Sequence, residues 1–213
     1  MNEHDYEPVW GLPAPLPEGE SILWQGAPKW QAFARHVLWV RWIGGYFIAL
    51  MVWGMAAPAP LADVATSLLR LGILALVAIG LLTLYAWLVA RTTVYTITSR
   101  RVAMRFGIAL PITIQIAYST IETAGLRTRA DGAGDIALTL LPDQKVAYLV
   151  LWPHARPWKL AKAQPALRGI ADARGVAQIL GRALAASAAQ PARAVKIPVS
   201  AGVAGGAPVP AAA

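Results

Sequence analysis

The 213-residue chain has no cysteine, and this absence excludes a disulfide framework and a thiolate metal site. Its three histidines, His4, His36 and His154, lie far apart in the sequence, so no ligand spacing typical of a metal site is present. The sequence also lacks a glycine-rich phosphate loop and a Gly-x-Ser-x-Gly nucleophile motif. We therefore expect no catalytic residues, no bound metal and no resident cofactor, and we predict that the protein is not an enzyme.

Charged residues are scarce, at 14% of the chain, and they are unevenly distributed. Residues 1–28 contain five acidic residues and no Lys or Arg, whereas residues 91–190 contain thirteen Lys or Arg and five acidic residues. Several prolines in the first segment disfavour a helix there. The sequence predicts an acidic, Pro-rich arm over 1–28 that docks onto the rest of the chain through a short strand at Ser21–Gln25. The acidic start does not resemble a secretory signal peptide.

A long uncharged segment, Leu71–Ala90, is followed at once by Arg91. Twenty helical residues at about 1.5 Å each cover the ~30 Å apolar core of a bilayer. Apolar residues surround this helix on all sides, which a soluble amphipathic helix of one apolar stripe would not show. We predict a transmembrane span over about 68–90.

A second apolar segment, residues 42–57, precedes this span, and with the turn before it we predict another span over about 38–57. Residues 29–41 are predicted to form an amphipathic helix at the membrane interface. The connecting loop 58–66 has no Lys or Arg, whereas basic residues flank both outer ends of the pair. The positive-inside rule then places both chain termini in the cytoplasm, with the hairpin occupying 42–90.

After Arg91 the apolar pattern changes to a period of two, which is typical of strands. Turn signals separate six predicted strands: 93–98, 101–107, 111–119, 123–130, 135–141 and 145–152. Residues 106–121 are uncharged and could be counted as a third span. Pro111 and the alternation of Ile112, Ile114 and Ile116 with polar residues favour a strand instead.

The C-terminal part of the chain is predicted to close this β-domain. Residues 151–172 contain three prolines and are expected to form a long turn and a last strand. Residues 174–188 place apolar side chains on one face of a closing helix. The remaining residues, 189–213, are mostly Ala, Pro, Gly and Val and are predicted to be a disordered tail, so the domain spans 91–188.

Short strands followed by one amphipathic helix are the element order of a pleckstrin-homology (PH)-like barrel. The stretch VYTITSRRVAMRFG resembles the bacterial PH-domain signature, and the arm EPVWGLPAPLPEGESILWQGAPKW, the hairpin and LWPHARPWKLAKAQPALRGI together resemble photosynthetic-complex assembly proteins of the PuhB type. The resemblance implies an α+β membrane protein, with a two-helix transmembrane hairpin followed by a PH-like β-barrel or sandwich and a C-terminal capping helix.

The same resemblance implies a function. It points to a non-enzymatic assembly factor for the reaction centre and core light-harvesting complex, in the inner (intracytoplasmic) membrane of a purple phototrophic bacterium. Reaction-centre or light-harvesting subunits would be its partners. The alternative, which rests on the basic β-domain alone, is a general membrane-anchored module that binds anionic lipid or a protein partner and is unrelated to photosynthesis.

Basic residues close to the membrane are the first candidates for a functional surface. Arg91, Arg100, Arg101 and Arg105 follow the second span and are expected to attract anionic headgroups, as well as to set the topology. Nucleic-acid binding is not expected, because a membrane-tethered basic hairpin has a closer polyanion.

Aromatic residues provide a second set of candidates, for contacts with a partner. Trp and Arg are the side chains richest in binding energy at interfaces. The loop 152–158 either folds its tryptophans onto the barrel or binds a partner, and the sequence is consistent with both interpretations. The partner-binding candidates are Trp152, His154, Arg156, Trp158, Trp24 and Trp30.

Small residues and one histidine complete the predictions for the membrane segment. Gly44, Gly45, Ala75 and Gly80 would permit close helix packing and possible self-association. His36 near the first span could ligate the magnesium of a bacteriochlorophyll in a transient contact, although an interfacial polar role is preferred. Asp131, Asp135 and Asp143 fall in predicted turns, where Asp is favoured for bonding to its own backbone.

Overall fold

A computed structural model describes residues 11–56, 58, 60–144 and 146–189 of the chain. These residues form an antiparallel β-domain that carries a pair of long helices and is closed by a C-terminal helix. The first ten residues of the predicted arm and residues 190–213 of the predicted tail lie outside the described residues. The strands are β1 Ile22–Gly26, β2 Val94–Thr98, β3 Arg101–Phe106, β4 Ile112–Ala117, β5 Ile121–Thr128, β6 Gly134–Leu140 and β7 Ala166–Ile170. The helices are α1 Trp30–His36, α2 Val40–Met55, α3 Leu61–Thr92, α4 Tyr148–Leu151 and α5 Ala173–Ala189.

Two antiparallel sheets enclose the core of the β-domain. One has the strand order β1-β2-β3-β4 and the other the order β5-β6-β7. Alternate residues of the strands point inward, as their period of two predicts. Tyr95, Ile97, Met104, Ile136 and Leu138 are all at most 1% exposed, and α5 adds Val176, Leu180 and Ala183 to the same core. Five of the six predicted strands are observed, and their ends lie within two residues of the predicted ends. The predicted last strand and closing helix are also observed, as β7 and α5.

The sixth predicted strand, 145–152, is wrong. This segment contains the short helix α4, and β6 pairs instead with β7. Leu149 and Val150 are exposed, whereas Leu151 is buried. A short apolar run does not distinguish a strand from a helical turn by pattern alone.

The arm contributes the edge strand of the first sheet. Strand β1 pairs antiparallel with β2, and Leu12 before it is 2% exposed. The docking of the arm through a strand near Ser21–Gln25 is therefore confirmed. Because β1 comes before the two long helices and β2 comes after them, the β1–β2 pair holds the base of the helical pair together.

The two long helices are antiparallel but unequal. A Cβ on Gly44 of α2 would lie 3.7 Å from Ile79, and a Cβ on Gly72 of α3 would lie 3.8 Å from Met51. At about 1.5 Å per residue, the 16 residues of α2 extend about 24 Å and the 32 residues of α3 about 48 Å. The C-terminal turns of α3 therefore continue beyond the start of α2, and α1 packs on them through Phe33, Ala86 and Val89.

Only one helix in the described part of the chain, α3, is long and apolar enough by itself to cross a membrane. Only 17% of its most apolar 18-residue window is buried. Helices α1 and α2 meet the same criterion only together, and they are bent by 51° with respect to each other. The predicted interfacial helix over 29–41 is shorter than expected, because it ends at His36 and Trp39 adopts a left-handed conformation before α2 begins.

Candidate functional site

A groove of about 450 Å³ lies on the outer face of the second sheet, under the connection between α1 and α2. Its floor consists of small residues, because Gly125 of β5 faces Ala137 of β6, and Ala137 faces Ala166 of β7. Trp39 and Trp158 also line it. Trp158 is 90% exposed, so its indole ring is available for contact.

Cationic side chains dominate the lining of this groove, which we call the arginine groove. One aspartate, Asp135, accompanies them. The five arginines come from α1, from β5 and the turn after it, from the loop before β7, and from β7 itself: Arg35, Arg127, Arg129, Arg156 and Arg168. The lining is therefore strongly positive.

Asp135 neutralises one end of the arginine groove. Arg129 forms a bidentate pair with it, with N–O distances of 3.2 and 2.6 Å. The Nε atom of Arg168 lies 3.9 Å from the same carboxylate, and the backbone N–H of Gly169 donates to it at 2.9 Å. Burial lowers the pKa of Arg168 and Asp135 opposes this effect, but a guanidinium remains protonated at neutral pH. These contacts fix the positions of Arg129 and Arg168.

The other arginines have no carboxylate partner in the described part of the chain. Arg35 and Arg127 are exposed, and their side chains form no ion pair or hydrogen bond with those residues. Arg156 donates to the amide oxygen of Gln164 at 3.1 Å, and this contact leaves its charge uncompensated. The excess positive charge of the groove is therefore carried by these three side chains.

A buried polar network lies behind the groove. The hydroxyl of Tyr95 is 2.7 Å from Nδ1 of His154 and accepts a hydrogen bond from the backbone N–H of Arg168 at 3.2 Å. The other ring nitrogen of His154 is 3.3 Å from the hydroxyl of Thr93, at the end of α3. Burial, with a smaller contribution from Arg168, lowers the pKa of His154 to about 3, so the ring is neutral. The network thus connects the base of α3 to the groove.

The predicted headgroup-binding arginines lie at separate places in the fold, and their contact with lipid headgroups stays a prediction. Arg101 pairs with Glu20 at 2.9 Å, and Arg100 is exposed in the turn between β2 and β3. Arg105 is only 8% exposed and pairs across the sheet with Val94 at the opposite end of β2. The two ends of the five-residue strand β2 are four steps apart, or about 13 Å. Arg91 lies over the ring of Trp87 near the end of α3, 4.8 Å from its centroid.

The predicted partner-binding residues are separated by the fold. His154 is 1% exposed, so its prediction as a contact residue is wrong: the ring belongs to the buried network. Trp152 stacks on Tyr85 of α3, with ring centroids 5.9 Å apart, and stays 51% exposed. Arg156 and Trp158 line the arginine groove.

The other two tryptophans lie elsewhere. Trp24 is half-buried against the main core, and Trp30 is 38% exposed on α1.

The helix-packing candidates also divide. Gly44 approaches α3, and Ala75 is buried at 9% exposure. A Cβ added to Gly45 or to Gly80 would meet nothing within 4 Å, so neither glycine is a close-contact position between α2 and α3.

His36 lines the arginine groove, 3.9 Å from a carboxylate oxygen of Asp131, and burial lowers its pKa. Within the described ranges, no three His, Asp or Glu side chains are grouped so that they could hold a metal ion.

Most of the groove was not identified from the sequence. Arg127 and Arg129 lie two residues apart, a spacing that places both on one face of a strand, and Gly125 precedes them by the same interval. That spacing was the available signal. Asp135 was interpreted as a turn residue, and Arg35, Trp39 and Arg168 reach the groove only through tertiary contacts that no local pattern reveals.

Comparisons with known proteins agree with the architecture. The bacterial PH domain family model matches residues 39–184. A Rhodobacter capsulatus protein described as an uncharacterized 23.7 kDa protein in the puhA 5' region is 40% identical over 198 residues, covering 90% of this chain and 92% of that protein. No solved structure matches the chain significantly.

Proposed function

We propose that this chain, which belongs to the bacterial PH domain family, is a non-enzymatic assembly factor of the PuhB type. In this role it would help to build the reaction centre and its core light-harvesting complex in the inner (intracytoplasmic) membrane of a purple phototrophic bacterium. Reaction-centre or light-harvesting subunits would be its partners, and it would need no resident cofactor.

The observation that carries this proposal is the 40% identity over 90% of the chain with the Rhodobacter capsulatus protein named for its position beside puhA. That name points to a photosynthetic gene context for the relative. The PH-matching residues 39–184 include the helical pair, and the similarity to the relative covers a larger share of the chain than this match does. The resemblance of the arm, the hairpin and residues 151–170 to such assembly proteins supports the same function.

Membrane anchoring by a two-helix hairpin is part of the proposal. Helix α3 exposes Leu69, Leu76 and Leu81 at 62–75%, and α2 exposes Trp53 at 82%. Covering these side chains with lipid would remove a large apolar area from water, at about 25 cal/mol per Å². The basic flanks at Lys29–Arg41 and beyond Arg91 support cytoplasmic termini.

The contact with partner subunits would then be divided between two surfaces. The exposed apolar faces of α2 and α3 would meet pigment-protein helices within the membrane. Two exposed aromatic residues, Trp152 beside α3 and Trp158 at the arginine groove, would meet the cytoplasmic surfaces of the same subunits.

A second candidate function is favoured by the arginine groove. A general membrane-anchored PH-like module that binds anionic lipid or an acidic protein segment would use such a groove without any connection to photosynthesis. Both candidates share the anchor and differ in the partner.

Affinity purification from growing phototrophic cells distinguishes the two candidates. A tagged full-length chain, extracted in mild detergent, is expected to co-purify with reaction-centre or light-harvesting polypeptides during assembly. A tagged unrelated two-span protein of the same membrane serves as the control for non-specific recovery. Recovery of those polypeptides no better than with the control would contradict the assembly role and favour the general module.

A further inference from the structure

We propose that the arginine groove binds the phosphate of an anionic phospholipid headgroup, with Arg35 and Arg127 as its charged ligands. This inference rests on the membrane anchoring proposed above, but not on a photosynthetic partner. It places the lipid site between α1 and the second sheet, away from the Arg100–Arg101 turn that the sequence favoured.

The charge distribution in the groove supports a phosphate ligand. Asp135 holds Arg129 and Arg168 in place and takes up part of their charge. Arg35 and Arg127 line the groove from two different elements, α1 and β5, and neither has a carboxylate partner in the described ranges. Guanidinium groups bind phosphate through paired N–H donors, which makes arginine well suited to this ligand.

The shape of the groove matches a headgroup with part of its glycerol backbone. A volume of about 450 Å³ is within the usual range for small-molecule sites, 300–1,000 Å³. The floor of Gly125, Ala137 and Ala166 leaves room above the sheet. The indole rings of Trp39 and Trp158 give the same groove an apolar component, which an amphiphile uses and a free phosphate ion does not.

The position of the groove along the helical pair favours a lipid over a soluble ligand. The contacts of Gly44 with Ile79 and of Gly72 with Met51 place the start of α2 level with about residue 83 of α3. Helix α3 continues to Thr92, about 13 Å further. Helix α1 packs on this extension, so Arg35, His36 and Trp39 lie where the headgroup layer of an inserted hairpin would be.

The first test is lipid binding by the purified full-length protein, measured by native mass spectrometry in mild detergent. Phosphatidylglycerol is expected to bind better than phosphatidylcholine. The variant Arg35→Gln/Arg127→Gln is expected to lose about tenfold in phosphatidylglycerol affinity, because it removes two charge-assisted contacts. The control Arg100→Gln/Arg174→Gln removes the same charge from exposed positions outside the groove and is expected to bind like the wild type.

The outcomes separate the possible ligands. Equal binding of the two lipids by the wild type, or an unchanged affinity in the groove variant, would overturn the proposal. Glycerol 3-phosphate is titrated in parallel, and affinity equal to that of the lipid would assign the site to a soluble phosphate instead. Displacement of bound lipid by an acidic peptide at equal concentration would assign it to a protein segment.

Two further measurements distinguish a loss of lipid binding from a folding defect and test the proposed membrane anchoring separately. The single variants Arg35→Gln and Arg127→Gln should each show a partial loss with an unchanged melting temperature. Extraction of wild-type membranes with alkaline carbonate tests insertion separately. Because lipid binding is measured without photosynthetic subunits, it can fail while the assembly role holds, and the reverse also applies.

Discussion

Glu20 of the arm accepts two hydrogen bonds from Arg101 of β3, at 2.9 Å from Nε and 3.1 Å from Nη2. The Glu20 side chain is only 2% exposed, and the hydroxyl of Thr98 also donates to it, at 2.6 Å. The two residues are 81 positions apart in sequence, with the whole helical pair between them. The pair therefore locks the arm to the β-domain across the base of the long helices.

Removing this carboxylate should weaken the β-domain. We expect Glu20→Gln to lower the free energy of unfolding by about 1–3 kcal/mol, because the partly buried guanidinium of Arg101 then loses its counter-charge. Thermal unfolding in detergent, followed by circular dichroism, measures the change. Glu18→Gln, an exposed acidic residue on the same arm, is the matched control. Equal effects of the two substitutions would show that the ion pair does not hold the arm.

The buried histidine should make stability depend on pH. In the folded protein the pKa of His154 is about 3, whereas it is about 6.5 in the unfolded chain, so between these values the unfolded state binds more protons. Stability is then complete above pH 6.5 and falls by up to about 1.4 kcal/mol per pH unit as the pH decreases below that value.

Substitution of His154 checks this assignment. His154→Gln should be less stable than the wild type at pH 7.5 and should show a shallower loss of stability between pH 6.5 and 5. Chemical denaturation at a series of pH values provides the comparison. His36→Gln, which removes a histidine that is 35% exposed instead of buried, should retain most of the slope. An unchanged slope in His154→Gln would mean that another group titrates.

Filling the floor of the arginine groove should block it without unfolding the domain. The nearest atom to a Cβ placed on Gly125 is the carbonyl oxygen of Ala137, at 3.9 Å, so Gly125→Val fits the strand and adds β propensity. We expect the melting temperature to be maintained and phosphatidylglycerol affinity to fall several-fold. Ala124→Val, on the opposite face of β5, is the control. Wild-type lipid affinity in Gly125→Val would indicate that the lipid sits elsewhere.

Topology can be tested with a reporter that is active only outside the cytoplasm. Fused after Ala189, it should be silent, and inserted at Pro58, between α2 and α3, it should be active. Cytoplasmic expression of each fusion is checked by immunoblot. Activity after Ala189 would exclude a two-span hairpin with cytoplasmic termini.

The sequence predicted those parts of the fold that depend on local periodicity. The alternation at Ile112, Ile114 and Ile116 identified β4 as a strand, although residues 106–121 are uncharged. The apolar segment 71–90 likewise identified the longest helix, whose observed extent is Leu61–Thr92. The prediction for 145–152 failed because residues 146–152 are seven apolar residues in a row, which carry no period.

The candidate site was less predictable, because it is assembled from distant segments. His154 looked like an exposed loop residue next to Arg156, yet the loop turns its ring inward to meet Tyr95 and Thr93. Arg168 lies within an apolar strand and becomes a groove residue only because Asp135 lies close to it on the neighbouring strand. Arg35 joins them through the packing of α1 on α3. None of these contacts is local in sequence, so no pattern of charge or hydropathy reveals them.

The assembly role is tested most directly by deleting the gene in its native phototrophic host and quantifying mature core complex by its absorption in isolated membranes. We predict that the amount of assembled reaction-centre–light-harvesting complex falls while bacteriochlorophyll synthesis continues, and that the wild-type gene supplied in trans restores it. Core complex that accumulates at the wild-type level and rate in the deletion strain would contradict the proposed function.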